Sequence, residues 1–198
     1  MKPEKYLQQL LYILVLIKII LPFFLQNSFY QLHRDEYLYL AEAHHMSWGF
    51  MEVPPLLSVF AWISNLFGAG MFWIRIWPDL FGAFTFLLAG KIILSLGGKT
   101  FALILGWLPF ILDGYMRLFF LFMPNFLDVF FWTLIAFTLI RFVQTKKNKW
   151  LYWFGIATGL GMMSKYSVAF FTVSILVSIL LTKHRTVFTN KHFYYASL

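Results

Sequence analysis

Long apolar runs alternate along the chain with short polar segments, most of which are basic. A helix needs about 20 mainly apolar residues to cross a bilayer, and six stretches approach that length. They cover residues 6–26, 71–96, 99–120, 126–143, 150–163 and 166–181. The pattern predicts an all-α fold, a polytopic transmembrane helix bundle of about six spans that forms a single domain over residues 1–198.

The connection between the first two predicted spans, residues 27–70, is too long to be a plain turn, and connections of this length are usually functional or carry structure of their own. The pattern predicts two short helices here, at residues 35–46 and 55–67, separated by Pro54 and Pro55 because proline disfavours helix in the residue before it. The second is apolar enough to lie in the membrane interface. Four tryptophans are expected to anchor this region there: Trp48, Trp62, Trp73 and Trp77.

Composition excludes several classes of protein. Hydrophobic residues make up 61% of the chain and charged residues 12%, about half the charged share of a soluble domain, so a soluble fold is excluded. The net charge of +8 does not indicate nucleic-acid binding, because the basic residues form short clusters between apolar runs. The absence of cysteine excludes disulfides and thiolate metal sites.

The distribution of charge predicts an orientation. Basic residues fall in alternate loops, which the positive-inside rule places in the cytoplasm: Lys2, Lys5, Lys99, Lys146, Lys147, Lys149, Lys183, Arg185 and Lys191. Of the eight acidic residues, Glu4 alone falls on that side. The others lie in or beside the first outer loop or toward the outer ends of the third and fourth spans: Asp35, Glu36, Glu42, Glu52, Asp79, Asp113 and Asp128. We predict a multi-pass cell-membrane protein with a cytoplasmic N-terminus and an acidic extracytoplasmic face.

Three carboxylates are candidates for chemistry. Asp35 and Glu36 follow the first span directly, and a carboxylate partly shielded from water at the membrane surface can act as a base. From spacing alone, the alternative of solvated loop acids at the start of a helix is favoured. Asp128 lies one turn into the fourth span. An ionisable group at that depth is a functional candidate, and a charge at a helix N-terminus is the alternative.

Several cations stand on the side where the positive-inside rule does not expect them. Lys165 is placed to hold a lipid phosphate or to snorkel to the surface. Arg75 and Arg117 are similar, and an ion pair with Asp113, four residues away, competes for Arg117. Lys18 lies within the first span, where snorkelling is the expected account.

Histidines raise the question of a metal. His33, His44 and His45, together with Glu36 or Glu42, contain the right donor types. Adjacent histidines on a helix point about 100° apart, so His44 and His45 are badly placed to bind one ion. We assign no metal ligand and no required cofactor, and leave a divalent metal as an open alternative.

The order of short motifs against the spans resembles a known family. In sequence order these motifs are HRDEYLYLA at 33–41, WGF at 48–50, VPPL at 53–56, RIWP at 75–78, MPNFLD at 123–128 and GLGMMSKYS at 159–167. Together they resemble glycosyltransferase family 39 and its bacterial relatives, the protein O-mannosyltransferases and lipid A aminoarabinose transferases, which have the C-type membrane fold. The resemblance covers nearly the whole chain.

This resemblance implies an inverting sugar transfer from a polyprenyl (undecaprenyl or dolichyl) monophosphate to a hydroxyl of a glycan, lipid or protein, on the extracytoplasmic face. Asp35 matches the catalytic position and would take the proton from the acceptor hydroxyl. Glu36 and Asp128 would be supporting acids. The family often has the second carboxylate directly after the proline, where this chain has Asn125, and Asp128 takes that role here.

The resemblance also assigns binding and positioning residues. Lys165 and Arg75 match basic positions that would stabilise the leaving phosphate, with Tyr166 beside them as a donor contact. The residues that would position the loops are Pro54, Pro55 and Asn125.

The chain departs from the family in length, since members typically continue with several more spans. We therefore expect it to be truncated at its C-terminus, and the 198-residue piece to be inactive alone. Two other functions stay open. A lipid-linked-sugar transporter or flippase would line a path through the bilayer with charged groups, and an inactive fragment would act only as a membrane subunit.

Overall fold

The computed structural model describes residues 3–26, 31–51, 53–68 and 70–196, apart from the side chains of Pro3 and Asp113. Within these ranges the chain is helical with irregular connections and contains no strand, which confirms the all-α class. The helices are α1 (Pro3–Leu25), α2 (Arg34–Glu42), α3 (Leu56–Leu66), α4 (Met71–Ser95), α5 (Thr100–Ile111), α6 (Asp113–Leu118), α7 (Asn125–Thr145), α8 (Lys149–Met162), α9 (Ser167–Leu180), a 3-10 helix (Lys183–Thr189) and α10 (Lys191–Tyr195).

The number of full-length spans is smaller than predicted. Among the described residues, three helices are long and apolar enough to cross a membrane: Glu4–Leu25 within α1, α4 and α7. A fourth is possible if α9 and the 3-10 helix, which meet at 111°, form one broken span. The helices α8 and α9 have 14 residues each and rise about 21 Å, less than the roughly 30 Å of hydrocarbon. Among the described residues, three or four of the predicted spans are therefore long and apolar enough to cross a membrane, and the remaining ones are shorter apolar helices of the same polytopic bundle.

The third predicted span, residues 99–120, is two helices. Helix α5 ends at Ile111, and Leu112 adopts an extended conformation (φ −91°, ψ 159°) before α6 begins. Pro109 within α5 removes one backbone hydrogen bond, and the Asp-Gly pair at 113–114 is typical of turns. The long apolar run concealed this break.

The register of the helices fixes which ends lie together. Helix α1 runs antiparallel to α4, as shown by contacts between Gln26 and Met71 and between Lys18 and Asp79. Helix α7 runs parallel to α4, since Phe81 in the first half of α4 packs on Phe126 at the start of α7, and Gln144 bonds Ser95 near the ends of both helices. The end of α1 and the starts of α4 and α7 therefore share one end of the bundle, which also carries α2 and α3 and is called the α2/α3 end.

A buried ion pair joins α1 to α4. The ammonium of Lys18 binds the carboxylate of Asp79 and donates to its backbone carbonyl at 2.8 Å, and the two residues are 1% and 0% exposed. Lys18 therefore does not snorkel, and Asp79 lies inside the bundle rather than beside the first outer loop. Both predictions failed because the inter-helix register, which brings together residues 61 positions apart, is not visible in the local pattern.

The region between α1 and α4 contains the two predicted helices. The apolar helix agrees to within one residue at each end, whereas the polar one starts at Arg34 and ends at Glu42, earlier than predicted. Trp48, Trp62 and Trp73 are exposed, as expected of interfacial anchors. Trp77 is partly buried instead, and its indole donates to the Ser64 hydroxyl at 2.9 Å, which ties α4 to α3.

Candidate functional site at the α2 and α3 end

The start of α2 is held by a reciprocal cap. His33 is the N-cap residue, and its ring nitrogen Nδ1 accepts from the backbone N–H of Asp35 at 3.3 Å. The Glu36 carboxylate accepts from the backbone N–H of His33 at 2.6 Å. This capping box satisfies two otherwise unpaired donors. It fixes where the adjacent carboxylates Asp35 and Glu36 point.

Glu36 joins three separate segments. Besides capping α2, its Oε2 lies 3.3 Å from Nη2 of Arg75 on α4, and its Oε1 accepts from the backbone N–H of Phe122 at 2.7 Å. Glu36 is 0% exposed. Both oxygens of this enclosed carboxylate are already bonded, and the role of Glu36 as a supporting acid stays a prediction.

Arg75, a predicted phosphate-binding residue, is also buried, with 5% of its surface exposed. Its guanidinium carbon lies 4.6 Å from the ring centroid of Phe120, within range of a cation–π interaction, and its ion pair is with Glu36. The guanidinium therefore faces the interior of the α2/α3 end. Its role toward a donor phosphate stays a prediction.

Asp35 differs from its neighbour in being accessible. Its side chain is 40% exposed, and its Oδ1 lies 3.3 Å from Nε of Arg34, itself 91% exposed. The His33 ring lies nearby, with Nδ1 at 3.8 Å from Oδ2, and Nδ1 accepts from the backbone N–H of Asp35. Asp35 is therefore a carboxylate at the surface with one solvated ion-pair partner, open to an incoming molecule.

A second charged group is formed where α7 begins beside the α8–α9 connection. Lys165 donates to the side-chain oxygen of Asn125 at 2.8 Å and lies 3.8 Å from the Asp128 carboxylate. Ser167 donates to the other oxygen of Asp128 at 2.7 Å. Asp128 is buried, whereas 37% of the Lys165 side chain is exposed. The lysine is thus oriented by two α7 residues while its ammonium stays reachable.

The remaining predicted residues surround this group. Pro54 and Pro55 are buried, and directly after them the backbone N–H of Leu56 donates to the carbonyl of Met163 at 2.9 Å. That bond ties the start of α3 to the connection that carries Lys165. Tyr166 is 60% exposed at the start of α9, adjacent to the lysine.

A cavity of about 320 Å³ lies between the two groups. Its polar lining is His33 from α2, Arg117 from α6 and Asn125 from α7, and its apolar lining includes Leu118, Leu121 and Met123. The volume falls within the range of small-molecule sites, about 300–1,000 Å³. The cavity therefore extends from His33, which caps the helix that carries Asp35, to Asn125, which accepts the hydrogen bond from Lys165.

Some predicted residues lie outside the described ranges, and some observed contacts were not predicted. Within the described ranges, no three His, Asp or Glu side chains come together as metal ligands. The side chain of Asp113, expected to pair with Arg117, and the whole of Glu52 lie outside the described residues. Sequence reasoning missed Ser167 and the backbone of Phe122. The His-x-x-Glu spacing at 33–36 was a usable signal for the cap.

The fold and the site define a class, that of helical integral membrane proteins with an ionisable cluster gathered at one end of the bundle. Within it, the chain belongs to the dolichyl-phosphate-mannose-protein mannosyltransferase family, whose model matches residues 52–198. Membership supports glycosyltransferase activity. The matched range includes Arg75, Asn125, Asp128 and Lys165, whereas Asp35 precedes it. No match was found among curated proteins or among solved structures.

Proposed function

We propose that the protein is an inverting glycosyltransferase that moves a hexose or pentose from a polyprenyl monophosphate to an acceptor hydroxyl on a glycan, lipid or protein. The observation that supports the proposal is one cavity lined both by His33, which caps the helix of the accessible Asp35, and by Asn125, which accepts a hydrogen bond from the accessible Lys165. Family membership supports the class of reaction. The basic clusters at the opposite end support an extracytoplasmic position for this site.

The proposed reaction needs one base. Asp35 takes the proton of the acceptor hydroxyl as its oxygen attacks the anomeric carbon from the face opposite the phosphate. The new glycosidic bond forms as the bond from that carbon to the phosphate oxygen breaks, which inverts the anomeric centre. Exposure of Asp35 allows the acceptor to reach it. Buried Glu36 holds the cap that places it.

Charge stabilisation of the leaving phosphate is assigned to Lys165. The polyprenyl phosphate leaves as a dianion and needs no proton, so a nearby cation lowers the barrier. The bonds of Lys165 to Asn125 and toward Asp128 fix its direction before donor binds. Tyr166 adds an exposed aromatic surface beside it.

The test uses native membranes from cells that make the full-length protein, so that acceptor is present. A panel of polyprenyl-phosphate sugars is supplied, and release of free polyprenyl phosphate is measured for wild type, Lys165→Gln and Lys183→Gln. Lys183 is an exposed lysine beyond α9, at the opposite end, and controls for the loss of one charge.

We expect wild type and Lys183→Gln to release phosphate from one donor at the same rate. Lys165→Gln should be slower by about 10²–10³-fold, as when one electrostatic donor of a transition state is removed. Equal rates in all three would exclude Lys165 from the phosphate site. Movement of donor across the membrane without release by any of them would instead favour a transporter.

A further inference from the structure

A second cavity, of about 770 Å³, opens at the end of the bundle opposite the α2/α3 end. It is formed where α1 begins, α4 ends, α5 begins, α7 ends and α8 begins. Three basic side chains line it, Lys91, Lys99 and Arg141, against one acidic side chain, Glu4. The cavity therefore carries a net positive charge.

The cations of this cavity are not neutralised internally. Lys91 and Lys99 are exposed, and among the described residues neither forms an ion pair. Arg141 is held in place without a carboxylate: Nη1 donates to Oε1 of Gln144 at 3.1 Å, and its guanidinium lies 5.6 Å from the ring centroid of Trp150. An oriented guanidinium with two exposed ammonium groups nearby suits a phosphate, whose several oxygens accept from different donors.

Besides the polar Gln8 and Ser95, the lining has apolar walls from helices that can cross the membrane. Leu7, Leu11 and Tyr12 come from α1, Leu94 from α4 and Phe137 from α7. Tyr12 is 55% exposed. A free phosphate would make no use of these walls, whereas a lipid places an anionic headgroup beside an acyl chain.

We propose that this cavity binds a phosphate-bearing anionic lipid headgroup, at a site separate from the cavity beside Asp35. The competing account is that these lysines only set membrane topology. Under that account, every exposed lysine at this end is equivalent. The chain offers a comparison, since Lys147 and Lys183 are also exposed at this end and lie outside the cavity lining.

The experiment compares two double variants that each lose two positive charges. The cavity pair combines Lys91→Gln and Lys99→Gln, and the control pair combines Lys147→Gln and Lys183→Gln. The purified full chain in neutral detergent is titrated with phosphatidylglycerol, with phosphatidylcholine of the same chain length, and with inorganic phosphate. Bound lipid is counted by native mass spectrometry, and helix content by circular dichroism verifies that all variants are folded.

We expect phosphatidylglycerol to bind wild type and the control pair equally, and more tightly than phosphatidylcholine. The cavity pair should weaken binding about tenfold for each lysine removed, the typical effect of losing one charge-assisted hydrogen bond. If inorganic phosphate displaces phosphatidylglycerol at a concentration similar to that of the lipid, the site belongs to free phosphate and the proposed lipid headgroup is wrong. Equal weakening by both pairs, or by neither, would overturn the site.

Discussion

Replacing Glu36 by glutamine removes the negative charge of the most enclosed carboxylate of the site while leaving the size of the side chain nearly unchanged. Glu36 is 0% exposed and accepts three bonds, from the backbone of His33, from Arg75 and from the backbone of Phe122. A glutamine amide keeps one acceptor oxygen and turns the other into a donor. Because all three partners are donors, at least one of them must lose its bond.

The expected loss of stability follows from these contacts. An unpaired buried donor costs about 1–3 kcal/mol, and Arg75, which is 5% exposed, is left without its carboxylate. Removing one partner of a buried ion pair typically costs about 3–5 kcal/mol in all. At about 2–4 °C per kcal/mol for a chain of this length, the midpoint of thermal unfolding should fall by about 6–20 °C.

The assay is thermal unfolding of detergent-solubilised protein, followed by size-exclusion chromatography of the soluble fraction. Asp35→Asn is the matched control, since it makes the same chemical change on the adjacent residue of the same helix. Its side chain is 40% exposed, so we expect a change within about 0.5 kcal/mol. The double variant Glu36→Gln with Arg75→Gln removes both charges and should be less destabilised than the sum of the two single variants.

An equal midpoint for Glu36→Gln and Asp35→Asn would refute this reasoning. It would mean that Glu36 is solvated in the native protein and that the three segments are not joined through it. Strict additivity of the two single variants would separately refute the ion pair with Arg75.

Two further predictions concern packing between helices. Lys18→Met leaves Asp79 buried without a cation and should lower the free energy of unfolding by about 3–5 kcal/mol in the same assay. The double variant that also carries Asp79→Leu should recover most of that loss. A double variant that recovers none of it would contradict the buried ion pair. A Cβ at Gly161 would lie 2.9 Å from an α9 side chain, whereas one at Gly159 meets open space. Gly161→Ala should therefore destabilise by about 1–3 kcal/mol and Gly159→Ala should stabilise by up to about 1 kcal/mol; the reverse order would place α8 differently.

How far the sequence predicts this fold depends on the range of the interactions involved. Helices α1, α4 and α7 agree with their predictions to within three residues at each end, because each is one long apolar run between polar ends. The break at Leu112 was missed because the Asp-Gly pair at 113–114 is short and stands within a long, mainly apolar run.

The site shows the same division. The cap at His33 depends on neighbours within three positions, so the local sequence contains its signal. The bond from Phe122 to Glu36 spans 86 positions, and that from Lys165 to Asn125 spans 40. Such contacts depend on how the helices pack, and the motif order indicated which residues mattered without indicating which of them touch.

The central claim is that Asp35 is the base of a sugar transfer at the α2/α3 end, and the most direct measurement is the transfer rate of Asp35→Asn. Native membranes with the full-length protein are supplied with the donor that wild type uses, beside Lys183→Gln, which removes one charge from an exposed residue of the opposite end. We predict a rate lower by about 10²–10⁴-fold for Asp35→Asn, the usual contribution of a general base, and an unchanged rate for Lys183→Gln. A wild-type rate from folded Asp35→Asn protein would contradict the account.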